Sequence, residues 1–137
     1  MIRKFERSDL RRIKSNNFSK TRDIGFVFDD DDFLKQTLTK DGNVYAIICF
    51  KSYWKNNFIG FFLIGEDMPA ICARELKDFV DNLVVDLNIE RIQTDSVDTE
   101  ILNKWHYFLG FTLEGTMKKM IFDNDYNMWG FLKGRDF

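Results

Sequence analysis

The 137-residue sequence contains only one proline, one histidine and two cysteines. Every apolar run falls well short of the ~20 residues that cross a bilayer, and the charged N-terminus lacks the apolar segment of a signal peptide. A single histidine and two separated cysteines cannot supply a typical zinc site. We therefore predict a cytoplasmic protein with no metal and no membrane partner, in which Cys49 and Cys72 are buried, reduced thiols.

The formal net charge is -2, whereas a general nucleic-acid binder normally carries a basic surplus. The sequence therefore carries no strong signal for a nucleic-acid partner. The charges are nevertheless uneven, because the first 22 residues are basic and an acidic block follows at residues 29–32. This pattern indicates a solvated helix face followed by a turn, or a binding patch.

Aromatic residues make up 16% of the chain and include 15 phenylalanines. A composition rich in Phe and poor in Pro, with many Lys, Asn, Asp and Ile, is typical of AT-rich genomes, those of phages among them. The length is sufficient for one domain with its own core, and we predict a single domain over residues 1–137.

The apolar pattern predicts the strands of this domain. "MIRKF" alternates as a short first strand, and a hairpin runs from 33–39 to 44–50 around the turn residues Asp41 and Gly42. "NNFIGFFLIG" is a continuous apolar strand, and "IERIQTD", "FTLEGTMKKMIF" and "YNMWGFL" are three further strands.

Apolar residues spaced three and four apart predict the helices. "SDLRRIKSN" is a short helix, the segment to Gly25 is ambiguous and could hold another, and a long helix starts near Met68. The last helix, "DTEILNKWHYFLG", has Asp98 as its expected N-cap, Gly110 as its stop, and an inner stripe formed by Ile101, Trp105 and Phe108. The predicted fold class is α/β (α+β), with a mixed, mostly antiparallel central sheet covered by helices.

This element order, together with "HYFLGF" at 106–111 and Glu114-Gly115, resembles the GNAT superfamily of acyl-CoA-dependent N-acyltransferases. The opening "MIRKFERSDLRRI" is also similar to the start of that fold. The resemblance implies transfer of an acyl group from acetyl-CoA to an amine. It covers nearly the whole chain in element order and is most specific at residues 105–115.

The resemblance implies a general acid on the last helix, four residues before the glycine, where the family commonly has tyrosine. Here that residue is His106, which the helical rotation places at the flank of the buried stripe. An ordinary histidine pKa suits proton donation near neutral pH. Alternatively His106 is a partly exposed residue tolerated near a helix C-terminus, and the hydroxyl of Tyr107 is the donor.

The resemblance also implies a CoA pyrophosphate loop at the start of the long helix, at residues 68–73. Only Ala73 fits the family pattern, because Met68 replaces a polar residue and Ile71 stands where the central glycine belongs. The implied cofactor-binding residues are Ile64, Gly65, Ala70, Ile71, Ala73 and Arg74.

Two acidic residues, Glu66 and Asp67, precede the long helix and would repel a diphosphate. Glu66 is the implied general base or, alternatively, only a favourable charge at a helix N-terminus. Two functions follow from these features: a phage-encoded acyl-CoA-dependent N-acetyltransferase, or a degenerate GNAT-fold component of virion assembly that lacks CoA. Either would act in the host cytoplasm, or be packaged in a virion if it is phage-encoded. The second would have phage or virion protein partners, and exposed strand edges could pair two copies as a homodimer.

Overall fold

The computed structural model describes residues 1–13, 30–121 and 123–133, with the side chains of residues 120 and 121 left aside. The elements are β1 (Ile2–Lys4), α1 (Asp9–Arg12), β2 (Leu34–Lys40), β3 (Asn43–Trp54), β4 (Asn57–Ile64), α2 (Ala70–Asp86), β5 (Arg91–Val97), α3 (Glu100–Phe108), β6 (Thr112–Ile121) and β7 (Asn124–Leu132). This order confirms the predicted one. The second short helix considered before Gly25 falls outside the described residues.

The strands form one seven-stranded sheet in the order β1-β2-β3-β4-β5-β7-β6. Strands β4 and β5 pair in parallel, with Asn57 opposite Arg91, and α2 is the helix that connects them. The pairings β1·β2, β2·β3, β5·β7 and β6·β7 are antiparallel. The prediction of a mostly antiparallel sheet with helices is therefore confirmed.

The chain divides into two compact units, one formed by residues 1–51 and 61–76 and the other by residues 52–60 and 77–137. Strands β3 and β4 and helix α2 contribute residues to each unit. We describe each unit by itself, and the single domain over 1–137 stays a prediction.

The first unit is built on the β2–β3 hairpin. Asp41 and Gly42 both have positive φ, 52° and 80°, which is the backbone of a type I′ turn. Strand β3 is buried almost without interruption between Val44 and Phe50, as expected of a strand that is covered on both faces. Cys49 and Cys72 are buried free thiols, and burial raises the pKa of Cys49 to about 12, against a lowering effect of Lys35.

A buried carboxylate fixes β1 and α1 in this unit. Asp9 is fully buried, and the guanidinium of Arg3 donates to both of its oxygens, at 2.7 and 2.9 Å. The Thr37 hydroxyl and the Glu6 amide also donate to Asp9, at 2.7 and 2.9 Å. Burial alone would raise the pKa of Asp9, but these hydrogen bonds lower it to about 2.

The second unit contains α3 and strands β5, β6 and β7. Helix α3 begins after Thr99, whose hydroxyl accepts a hydrogen bond from the Leu102 amide at 3.4 Å, so the predicted cap at Asp98 is wrong. The carboxylate of Asp98 instead accepts bonds from the side-chain amides of Asn103 and Asn127, at 2.9 and 3.0 Å. The predicted stop is confirmed, because Gly110 has φ of 98°.

The buried stripe of α3 is displaced by one residue from the predicted one. Leu102, His106 and Leu109 are buried, whereas Ile101 and Phe108 are 44% and 45% exposed. The helix thus carries two apolar faces, one in the core and one facing solvent.

Candidate functional site

The start of α2 in the first unit offers donors for an anion. Amide groups in the first turn of a helix have no carbonyl partner within the helix, and the helix dipole makes this end positive. In α2 these groups belong to Ala70, Ile71 and Cys72, since the Ala73 amide already donates to the carbonyl of Pro69 at 3.0 Å. Arg74 is exposed on the same segment. This donor set suits a phosphate group.

Two features at the same helix end act against an anion. The carboxylates of Glu66 and Asp67 are exposed directly before the helix, and they would repel a negative ligand. Ile71 is 63% exposed, and its branched side chain stands where the resemblance expects glycine. Any diphosphate bound here would contact the amides beside a bulky apolar group.

The strand that leads into α2 is held by a close backbone approach. The Gly65 amide donates to the Tyr45 carbonyl at 2.7 Å, and a Cβ on Gly65 would lie 2.8 Å from that carbonyl oxygen. Ile64 is buried in the core. The amides of Gly65 and Ala73 are therefore committed within the fold, and the exposed candidates for CoA are Ala70, Ile71 and Arg74.

His106 lies in the core of the second unit, so the prediction that it flanks the buried stripe is wrong. Its ring is 4% exposed and stacks on the Trp129 ring, with centroids 4.9 Å apart and planes at 11°. Phe111 packs against it edge-on, at 5.7 Å. Nδ1 lies 2.7 Å from the Leu102 carbonyl, which is an acceptor only, so Nδ1 carries the proton and donates it.

This environment keeps His106 uncharged. Burial lowers its pKa to about 4, although the hydrogen bond to the Leu102 carbonyl acts in the opposite direction. At pH 7 the imidazole is therefore neutral and its one proton is engaged by a backbone carbonyl. A side chain in this state is unsuited to donate a proton to a leaving group.

Tyr107, the other acid candidate, is 57% exposed. Its ring meets Trp129 edge-to-face, with centroids 5.0 Å apart and planes at 88°. The structure therefore brings His106 and Tyr107 together on one tryptophan, and of the two only Tyr107 has its ring accessible from solvent.

Trp129 is the residue of this cluster that the sequence did not reveal as part of a site. It is completely buried on β7, and its Nε1 donates to the Ser96 hydroxyl on β5 at 3.0 Å. The alternation of Asn127, Trp129 and Phe131 along β7 was a signal for one shared face, but it does not indicate which helix packs there.

Within the described residues, no three His, Cys, Asp or Glu side chains come together as a metal site. Among the same residues, none of the helices has the length and apolar character to cross a membrane.

Comparison of the fold with solved structures is decisive about the architecture. A spermidine N-acetyltransferase from Vibrio cholerae, solved with CoA and spermine, is 14% identical with a TM-score of 0.72, and the match covers 97% of this chain and 95% of that one. The chain has the GNAT fold. A putative phosphinothricin N-acetyltransferase is 14% identical with a TM-score of 0.72, over 98% of this chain and 99% of that one.

A GNAT-family acetyltransferase from Bacillus anthracis is also similar, at 15% identity and a TM-score of 0.69, over 98% of this chain and 95% of that one. The sequence itself matches no protein family, and a comparison with curated proteins also finds no match. The GNAT resemblance of the sequence is thus confirmed at the level of the fold, and these structural neighbours are described as acetyltransferases.

Proposed function

We propose that this protein is an acyl-CoA-dependent N-acyltransferase that acetylates an amine. The observation that carries the proposal is the GNAT fold itself, which matches solved N-acetyltransferases over nearly the full length of both chains. Because identity is low, the proposal also needs residues that fit the reaction.

The first-turn amides of α2 and the exposed Arg74 are the groups that we assign to the CoA diphosphate. Bound acetyl-CoA would supply the thioester carbonyl that an amine attacks. The carboxylates of Glu66 and Asp67 would repel the diphosphate, and the side chain of Ile71 would obstruct its approach to the helix amides. We therefore expect binding weaker than a glycine-rich loop would give.

The reaction requires two proton movements besides the attack of nitrogen on the thioester carbon. The acceptor nitrogen loses a proton, which we assign to the exposed carboxylate of Glu66. The C–S bond breaks and the departing sulfur takes up a proton, which we assign to the exposed phenol of Tyr107. We assign the acid role to Tyr107 rather than to His106, because His106 is buried and its Nδ1 donates to the Leu102 carbonyl.

The test is release of free CoA thiol from acetyl-CoA in the presence of an amine, with spermidine and phosphinothricin as the first acceptors. We expect Tyr107→Phe to lower kcat about 100-fold, the lower end of what a positioned general acid contributes. Lys104→Met is the control on an exposed face of the same helix and should leave kcat unchanged. Equal turnover in Tyr107→Phe would remove Tyr107 from the chemistry.

A second candidate function is a GNAT-fold assembly or interaction component that does not use CoA, encoded by a phage and directed at a virion protein. The observation that favours it is a set of solvent-exposed apolar side chains in the second unit. Ile101 and Phe108 on α3 and Tyr53 and Trp54 at the end of β3 are all more than 40% exposed. Such aromatic surfaces are enriched at protein interfaces.

The two candidates differ in a simple way. An assembly component would show neither binding of acetyl-CoA nor thiol release, and Phe108→Ser or Trp54→Ser would abolish its co-purification with a partner. An acyltransferase would keep thiol release in both of these surface variants. A homodimer, tested by light scattering, is compatible with each function.

A further inference from the structure

Tyr107 is an exposed side chain with an unusually restricted position. It and His106 are neighbours on α3, and their side chains leave the helix about 100° apart. Trp129 nevertheless contacts both, since its face stacks on His106 at 4.9 Å and Tyr107 lies perpendicular to it at 5.0 Å. The indole of Trp129 therefore packs against both the His106 ring and the Tyr107 ring.

The indole itself cannot shift easily. Trp129 is fully buried, and its Nε1 donates to the buried Ser96 hydroxyl at 3.0 Å. On the helix side, the His106 ring is anchored by its bond to the Leu102 carbonyl and by the edge of Phe111. A chain of defined contacts thus runs from β5 through Trp129 to α3.

We propose that His106 is a positioning residue, which holds Trp129 flat so that Trp129 sets the orientation of the exposed Tyr107 ring. The inference rests on the proposed function, in which Tyr107 protonates the departing thiolate. A phenol must be held within a fraction of an ångström of the leaving sulfur to transfer its proton efficiently. A half-exposed tyrosine without such a support would sample several rotamers.

The stack predicts which substitutions matter. Phenylalanine at 106 keeps a flat ring against the indole and loses the bond to Leu102, whereas leucine removes the flat surface. We expect His106→Leu to lower kcat about tenfold with the KM for acetyl-CoA within about twofold of wild type, because a misplaced group affects the chemical step more than binding. His106→Phe should keep kcat within about threefold of wild type by the same reasoning.

A double-mutant cycle separates positioning from a general loss of structure. If His106 acts through Tyr107, His106→Leu should change kcat less than about twofold when Tyr107→Phe is already present, because coupled residues are not additive. A full tenfold further loss in that background would overturn the proposal. Urea unfolding of each variant at the assay temperature establishes that the folded protein is being compared.

A second readout does not depend on activity. Nuclear Overhauser contacts between the ring protons of Tyr107 and Trp129 should be present in the wild-type protein and in His106→Phe, and weakened in His106→Leu. Unchanged contacts in His106→Leu would overturn the positioning role even if the enzyme is active. A third outcome is possible: the wild-type protein shows no turnover, but the Tyr107–Trp129 contacts are present and weaken in His106→Leu. That outcome would refute the proposed function and would support the positioning of Tyr107 by His106 and Trp129.

Discussion

The first unit buries the carboxylate of Asp9 and the second buries the imidazole of His106, and the two environments treat charge in opposite ways. Asp9 is completely buried yet remains ionised, since Arg3, Thr37 and the Glu6 amide all donate to it. His106 is 4% exposed, packs against two aromatic rings and donates to the Leu102 carbonyl, and it remains neutral.

Both pKa values are lowered, but the causes differ. For Asp9, burial opposes the shift and hydrogen bonds from Arg3 and its neighbours outweigh it. For His106, burial itself produces the shift. Burial alone therefore does not predict the charge of a side chain; the charge depends on whether donors and countercharges around the group offset the cost of burial, as they do for Asp9. Asp9 stabilises the fold through charged hydrogen bonds, and His106 stabilises it through the packing of its neutral ring against Trp129 and Phe111.

The largest effect should come from removing the guanidinium that is hydrogen-bonded to Asp9. We expect Arg3→Met to lower the free energy of unfolding by about 3.5 kcal/mol, because it removes two charged hydrogen bonds from a buried carboxylate and leaves it the more distant Arg12, at 3.8 Å. Urea unfolding at pH 7 measures this. Arg11→Met, which removes an exposed arginine of α1, should cost less than about 0.5 kcal/mol. Equal losses in the two variants would show that Asp9 is not maintained as a buried ion by Arg3.

The next effect concerns His106 and pH. Its folded pKa of about 4 lies below the ordinary 6.5, so the unfolded chain takes up a proton first and stability falls as pH falls from 6.5 to 4. Over this window we expect wild type to lose about 3 kcal/mol more than His106→Phe. Unfolding curves at pH 7 and pH 4 for both proteins decide it, and parallel losses would contradict a neutral buried histidine.

The corresponding window for Asp9 lies lower. Its pKa is lowered from 3.8 to about 2, so its contribution is complete above 3.8 and is lost as pH falls through 2. Asp9→Asn should be less stable than wild type by about 2 kcal/mol more at pH 5 than at pH 2. Thermal unfolding at these two pH values tests the expectation, and a constant difference would mean that Asp9 does not titrate in this range.

The smallest effect compares two buried threonines. The Thr37 hydroxyl donates to Asp9 at 2.7 Å, whereas the buried Thr94 hydroxyl has no hydrogen-bond partner among the described residues. Thr37→Val should cost about 1.5 kcal/mol, and Thr94→Val should be neutral or slightly stabilising. If Thr94→Val costs as much as Thr37→Val, bonding to Asp9 is not the source of the difference.

Much of the fold was predictable because it is encoded locally. Alternation, helical spacing, the Asp41-Gly42 turn and the stop at Gly110 each act within a few residues, and the predicted element order is confirmed. The resemblance to GNAT proteins depended on the same local signals. These local signals can be interpreted without knowing which helix packs on which strand.

The predictions were wrong where contacts between residues far apart in the sequence determine which side chains are buried. Hydrophobicity favours Trp105 over His106 as the buried residue of α3, but β7 presents the flat face of Trp129 to His106. The sequence marks Asp9 as a helix-start residue, and contacts such as that with Thr37, 28 positions away, place it in the core. The requirement for glycine at 65 likewise comes from the Tyr45 backbone.

We propose that a GNAT fold with an altered helix start still binds acetyl-CoA for acyl transfer. Isothermal titration calorimetry with acetyl-CoA tests it most directly, with Ile71→Glu as the blocked variant. Val85→Glu is the matched control, because Val85 is a similarly exposed, branched residue at the other end of α2. We predict binding to wild type and Val85→Glu and at least tenfold weaker binding to Ile71→Glu. No binding to wild type at millimolar acetyl-CoA would contradict the claim and favour the assembly component.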